Sequence, residues 1–267
     1  MQRGKGKERA DKIVVERGLA ESRHKAQALI MAGVVFSGET RINKPGEKLS
    51  VDQPISIKEQ IPFVSRGGLK LKEALDNFKI SVDGKVAADL GSSTGGFTDC
   101  LLQRGARKVY AVDVDTRQID QRLREDPRVN LIQKNARYLD ADDFEDPLEL
   151  ITLDLSFISV LKVLPALRKL LGEALLVALI KPQFEVGKGQ VGKKGVVRDP
   201  GLHQEVLFRM VEEGEKMGFY LQGLFRTSTR GQKGNQEFFI LWSLGKSTLH
   251  SERIKILIKE AVWDGKN

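Results

Sequence analysis

From residue 84 onward the chain alternates apolar runs of strand length with amphipathic stretches, and that alternation dictates a parallel α/β sheet. Strands are expected at 86–90, 107–112, 129–133, 148–153, 174–180, 219–225 and 237–244. Helices are expected at 96–103, 117–123, 160–171, 202–217 and 251–263. The first strand runs straight into Asp89-Leu90-Gly91-Ser92-Ser93-Thr94-Gly95-Gly96-Phe97, a glycine loop that opens a helix. Glycines there let backbone approach a ligand without Cβ clashes. No Gly-Lys-Ser/Thr closes the loop, which excludes a triphosphate loop. Gly91-x-x-x-Gly95 also departs from the G-x-G-x-x-G of dinucleotide folds.

The next strand ends in Val112-Asp113-Val114-Asp115. A carboxylate about 20 residues beyond such glycines can accept both ribose hydroxyls of an adenosine. Asn135 follows the third strand, at a position that in Rossmann-like methyltransferases, which this stretch resembles, contacts adenine, and its amide can be offered to a base edge. The cofactor-binding residues expected are therefore Asp89, Gly91, Ser92, Thr94, Gly95, Gly96, Phe97, Asp113 and Asn135, with Asp154 at the end of the fourth strand. No metal ligand set is assigned.

Residues 1–60 read as a separate small α+β unit, with helices over 12–17 and from Glu21-Ser22-Arg23 to Gly33. Ser22 is a suitable N-cap for the second. Short strands are expected around 34–36, 41–42 and 55–57, and residues 61–68 form a linker before a helix over 69–78. Over residues 1–30 basic residues outnumber acidic ones two to one, and the whole chain carries a formal net charge of +8. Such a surplus suits a polyanionic partner. No run approaches the ~20 apolar residues of a membrane span, and the basic N-terminus is followed by no apolar core. A cytoplasmic location without stable membrane insertion is expected. Cys100, the single cysteine, reads as core packing.

Four further segments carry the chemistry: Val64-Ser65-Arg66-Gly67-Gly68-Leu69-Lys70, Leu153-Asp154-Leu155-Ser156-Phe157, Lys181-Pro182-Gln183-Phe184-Glu185 and Gly234-Asn235-Gln236-Glu237. Lys181 ends an apolar strand and Glu237 begins one, so neither is placed like an ordinary solvated charge. In order and local sequence, Lys70, Asp154, Lys181 and Glu237 resemble the catalytic tetrad of FtsJ-type 2′-O-ribose methyltransferases. Gly18-Leu19-Ala20-Glu21-Ser22-Arg23-His24-Lys25-Ala26, Ile30 to Val35 and Lys44-Pro45-Gly46 resemble the alpha-L RNA-binding domain. Together the segments resemble the TlyA family, which joins these two domains.

That resemblance implies a Rossmann-like seven-stranded methyltransferase domain over 69–267, its last strand antiparallel, behind the RNA-binding domain. It implies S-adenosylmethionine as cofactor and ribosomal RNA or its subunits as partner, with 2′-O-methylation at cytidine. Lys181 is then the base or hydroxyl-orienting group, Lys70 stabilises alkoxide charge, and Asp154 and Glu237 hold the two ammonium groups. RNA contacts are expected at Arg23, Lys25, Arg66, Lys188, Lys193, Lys194, Arg230 and Lys233. The same family carries the label haemolysin, so a membrane-active protein is one alternative. A non-catalytic RNA-binding assembly factor is another.

Overall fold

The computed structural model describes residues 6–31, 33–38, 40–57, 62–170, 172–187, 189–245 and 249–263. Its contacts divide into a unit ending at Pro62 and one beginning at Phe63.

The first unit runs β1 (Lys7–Arg9), α1 (Ala10–Glu16), α2 (Arg23–Met31), β2 (Val35–Ser37), β3 (Thr40–Arg41), β4 (Lys48–Ser50) and β5 (Ile55–Ile57). β1 pairs with β4, and β3-β2-β5 form a second small sheet. Ala10, Ile13 and Val14 of α1 close with Ala26 and Ile30 of α2 over Val35, Ile42 and Leu49. β1 and β4 were not anticipated, because three residues are too few to display an alternation. Asp11 is fully buried. It accepts from Arg9 Nε (3.0 Å) and Nη2 (2.9 Å), Gln27 Nε2 (2.8 Å) and Arg23 Nε (3.0 Å). The Arg9 hydrogen bonds, with those from Gln27 and Arg23, hold its carboxyl well below the usual carboxylate range. A depressed pKa stabilises the fold above the unfolded value of about 4, and that gain is lost as pH falls through the folded value. Hydrogen exchange over residues 10–16 should therefore show less protection at pH 7 in Asp11→Asn than in wild type. Equal protection in the two proteins would mean the carboxylate contributes nothing to this helix pair.

The second unit contains α3 (Arg66–Phe78), β6 (Val86–Leu90), α4 (Gly96–Gln103), β7 (Lys108–Asp113), α5 (Gln121–Arg124), β8 (Val129–Gln133), β9 (Leu150–Leu153), α6 (Leu164–Leu170), β10 (Leu175–Ile180), α7 (Pro182–Glu185), α8 (Pro200–Lys216), β11 (Phe219–Arg226), β12 (Phe238–Leu244) and α9 (Ser251–Trp263). The strands form one seven-stranded sheet in the order β11-β12-β10-β9-β6-β7-β8. β12 runs antiparallel to both neighbours and the other pairings are parallel, as expected. Strand residues alternate between two cores, as the period of two requires. Val86, Ala88, Leu90, Leu176, Ala178 and Ile180 meet α6, α8 and α9 on one face. Ala87, Val177 and Leu179 meet α3 and α4 on the other, where Cys100 is buried. Burial pushes the Cys100 thiol up to about 12, so it stays an unreactive core group.

The chain winds from β6 outward to β8, then returns to place β9 on the other side of β6. This reversal opens a crevice at the carboxyl ends of β6 and β9, where open α/β sheets bind ligands.

Three local expectations are corrected. α3 begins at Arg66 rather than 69, because the Ser65 side chain caps it by accepting Gly67 N at 3.3 Å. Arg66-Gly67-Gly68 are thus a first helical turn, not linker. The helix expected at 117–123 is a 3-10 turn at Thr116–Gln118 followed by α5, broken where Asp120 caps the second piece. The helix expected at 160–171 likewise splits into a 3-10 turn at Val160–Lys162 and α6. Pro165 lacks an N–H and fits only a first helical turn, which sets that restart.

Candidate active site

Two registers bring three of the four predicted side chains together. In the parallel pairs Leu90 lies level with Leu153, and Leu153 with Ala178, so Gly91, Asp154 and Lys181 emerge at one sheet edge. In the antiparallel pair Ile180 faces Phe238, so Lys181 and Glu237 are the next residues across from each other. Lys70 reaches the same edge from α3. Its Nζ donates to Glu237 Oε2 at 2.6 Å, with the carboxylate 2% exposed. Lys181 Nζ lies 2.6 Å from Asp154 Oδ1, an ion pair outside hydrogen-bond alignment. It also donates to Ser156 Oγ at 3.0 Å. All four residues line one cavity of about 310 Å³, and Gly91, Ser92, Thr94, Gly96 and Phe97 form its other side.

A neighbouring cavity of about 650 Å³ shares Gly91, Ser93, Asp154, Ser156 and Phe157 with the first. It is lined further by Asp113, Asn135, Val114 and Leu155. Asp113 Oδ2 accepts Ser93 N at 2.9 Å and Oδ1 accepts Asp115 N at 3.0 Å, which fixes the carboxylate and leaves lone pairs for a ligand. Asn135 Oδ1 accepts Arg137 N at 3.0 Å, so its NH2 group remains for a base edge. The residues present fit an adenosyl amino acid. Ser92 Oγ is buried in the cavity wall and finds no hydrogen-bond partner among the described residues. Gly91 has φ +87°, and an added Cβ would lie 2.7 Å from the Asp154 carbonyl oxygen, so only glycine keeps this approach open.

Two residues expected to bind the cofactor line neither cavity. Gly95 is the left-handed N-cap of α4, where a Cβ would strike Leu123. Asp89 is fully buried under the loop and accepts Thr98 Oγ1 at 2.7 Å and Thr152 Oγ1 at 3.2 Å. Its side chain shares the sheet face of Ala87, which points it at the α4 helix rather than into the crevice. Burial, with the Asp154 charge nearby, pushes its carboxyl up to about 7. A raised pKa stabilises the fold below the unfolded value of about 4, and that gain disappears as pH rises through 7. Urea midpoints of wild type should accordingly fall between pH 4 and 7 relative to Asp89→Asn. Parallel pH profiles for the two proteins would place a charged carboxylate there throughout.

Several residues that shape the site were not singled out beforehand. Glu185 is buried and accepts Ser159 Oγ at 2.6 Å and Val160 N at 2.9 Å, tying the segment after Asp154 to that after Lys181. Glu73, one turn beyond Lys70 on α3, accepts Thr227 Oγ1 at 2.6 Å and Ser228 N at 2.8 Å. Phe157, 91% exposed with φ +66°, tilts against Phe184 at 5.1 Å between ring centroids. Ser156 and Glu185 lie inside the segments that carry Asp154 and Lys181 and could have been found there. Glu73 gave no signal beyond its three-residue spacing from Lys70.

The residues expected to touch RNA are spread more widely. Arg66 is exposed and lines the cavity of the four charged groups. Lys194, Arg230 and Lys233 are exposed on the loops beside Glu237. Arg23, in the first unit, is ion-paired to Asp11 with its side chain 54% exposed, and Lys25 is exposed on α2. Lys188 and the Lys193 side chain lie outside what the structure describes. No helix among the described residues is long and apolar enough to cross a membrane.

The FtsJ-like methyltransferase model matches residues 63–244, and the S4 domain model matches residues 8–55. Over 238 residues the chain is 50% identical to YqxC, a candidate rRNA methyltransferase of Bacillus subtilis, covering 88% of this chain and 85% of that one. It is 42% identical to the 16S/23S rRNA (cytidine-2′-O)-methyltransferase TlyA of Mycobacterium tuberculosis, covering 88% of each. A solved structure of a candidate hemolysin from Streptococcus thermophilus superposes with a TM-score of 0.73 at 41% identity, covering 97% of this chain and 96% of that one. The chain therefore belongs to the FtsJ-like methyltransferase family and carries an S4 domain ahead of the catalytic fold.

Proposed function

We propose that the chain methylates the ribose 2′-hydroxyl of a cytidine in ribosomal RNA, in the cytoplasm, with S-adenosylmethionine as donor. The observation that carries this reading is the convergence of Lys70, Asp154, Lys181 and Glu237 on one cavity beside the glycine loop. The relatives named as rRNA cytidine-2′-O-methyltransferases supply the substrate class. Residues 1–60 are read as the RNA-gripping domain, through Arg23 and Lys25, and 69–267 as the catalytic domain.

Bound S-adenosylmethionine supplies an electrophilic methyl group on a positively charged sulfur. Gly91, Ser92, Thr94 and Gly96 would hold its amino-acid end, Asp113 its ribose and Asn135 its base. Lys181 is read as the base or hydroxyl-orienting group that receives the 2′-hydroxyl proton as the oxygen–methyl bond forms and the methyl–sulfur bond breaks, with Asp154 holding its amine in place. Lys70 offers positive charge to the developing alkoxide and is aimed by buried Glu237. Holding oxygen and methyl carbon in line contributes further acceleration. Exposed Phe157, beside Phe184 at the cavity mouth, offers a face on which an unstacked base can rest. Arg66, Lys188, Lys193, Lys194, Arg230 and Lys233 are read as contacts to the RNA backbone.

The test is to incubate the protein with isolated bacterial ribosomal subunits and donor carrying a labelled methyl group, then digest the RNA to nucleosides. Label is expected in 2′-O-methylcytidine. Label on a base, or none in RNA, would reject the reading, and lysis of liposomes without donor would support a membrane activity instead.

A further inference from the structure

Beside the reacting groups, a separate cavity of about 370 Å³ is lined by Arg198, Arg230 and Lys233 over a floor of Val196, Val197 and His203. Its walls come from two loops that are fastened together. Asn235 Oδ1 accepts Val197 N at 3.0 Å, and Asn235 Nδ2 donates to Gly195 O at 2.9 Å. His203 Nε2 lies 3.0 Å from Val197 O, and since a carbonyl only accepts, the ring donates there. Val196 and Val197 are buried, so the loop carrying Arg198 is anchored on its apolar side. A Cβ placed on Gly195 would sit 3.7 Å from Lys233 Nζ, so this ammonium reaches across from one loop to the other.

The three cations are exposed, and among the described residues none of them has a carboxylate partner. The nearby Asp199 is occupied in capping α8, accepting Gly201 N at 2.8 Å. Elsewhere on this unit exposed arginines fold back onto neighbouring carboxylates, as Arg117 does on Asp115 and Arg128 on Asp126. Three unpaired cations around one concavity keep mutual repulsion that an anion would relieve. His203 adds no charge, because burial and the charges of Arg226 and Arg230 hold its pKa down. The site also lies next to the reaction. Asn235 and Gln236 lead directly into Glu237, and a Cβ on Gly231 would fall 1.9 Å from the Glu237 carboxylate.

We propose that Arg198, Arg230 and Lys233 form a binding site for one backbone phosphate of the RNA, next to the nucleotide being methylated. The ligand class rests on the RNA reading above, while the site itself rests on the fastened loops and their unpaired cations. A phosphate held there sets which ribose along the strand meets Lys181, so the site acts as a ruler as well as a grip.

The experiment compares wild type with the triple variant Arg198→Gln, Arg230→Gln, Lys233→Gln and with a control triple, Lys169→Gln, Lys255→Gln, Lys259→Gln. Affinity for isolated bacterial ribosomal subunits is measured over a salt series, with S-adenosylhomocysteine affinity as a check on the fold. The first triple should bind subunits more weakly, with a slope of log K against log salt shallower by about 1. Its KM should rise by a larger factor than its kcat falls. An unchanged slope, or an equal change in the control triple, would overturn the phosphate site. A shallower slope confined to the first triple, in a protein that binds subunits but never methylates them, would keep the site and remove the reaction.

Discussion

Lys181→Ala is expected to lower kcat for methyl transfer by roughly 10²–10⁴, with a much smaller change in S-adenosylhomocysteine affinity. The reason lies in what Lys181 touches. Its amine is flanked by Asp154 and Ser156 at the mouth of the cavity, with the Phe184 ring 5.9 Å away, while the larger neighbouring cavity is lined by segments at and after the ends of β6, β7, β8 and β9 and not by Lys181. Lys181→Arg separates the two roles a cation can have here. Guanidinium preserves the ion pair with Asp154 but does not deprotonate, so it cannot accept the hydroxyl proton. Both variants should therefore be nearly inactive, whereas Lys181→Arg should retain more of the fold stability. Substantial turnover by Lys181→Arg, measured as methyl label in RNA, would reassign Lys181 to charge stabilisation and leave proton removal to another group.

The second large effect is expected from Gly91→Ala. Its φ of +87° already costs an L-residue about 1–2 kcal/mol, and the new methyl would meet the Asp154 carbonyl oxygen at 2.7 Å and Leu155 Cδ2 at 3.2 Å. The nearer obstacle is backbone, so no side-chain rotation relieves it. Either the glycine loop lifts, closing the donor pocket, or the Asp154 segment retreats and takes its carboxylate from Lys181. Calorimetric titration with S-adenosylhomocysteine should show binding weakened by at least about tenfold, beyond the dihedral cost alone. Gly84→Ala is the control: φ is +71° there and nothing lies within 4 Å of the added methyl. If the two variants bind the ligand equally well, the close approach at Gly91 has no part in holding the donor.

Much of the second unit is readable in the sequence. β6, α4, β8 and α9 have the expected limits, because glycine, proline or polar residues punctuate each segment. The convergence of four remote charges was readable too, since three of them flank strands whose carboxyl or amino ends must share one edge. What sequence could not supply was which way a side chain turns. Asp89 and Gly95 sit in the same glycine loop signature as Gly91, yet one packs under the sheet edge and the other caps a helix. Glu73 and Arg198 were invisible for a related reason. Their roles come from partners 154 and 155 residues away, or from two loops pressed together, and no local pattern encodes such pairings. The short strands β1 and β4 were hidden by length alone.

α3 holds the segment preceding β12 at both ends: Glu73 at Thr227 and Ser228, and Lys70 at Glu237. A loop stapled twice by one rigid rod can exchange the residues at its tip without dragging its anchored ends. Positions 229 and 230, just past the Ser228 anchor, are thus open to tailoring for different targets, while the geometry that performs the reaction stays put. Breadth of target choice and fidelity of chemistry become separately adjustable in a single short stretch of chain.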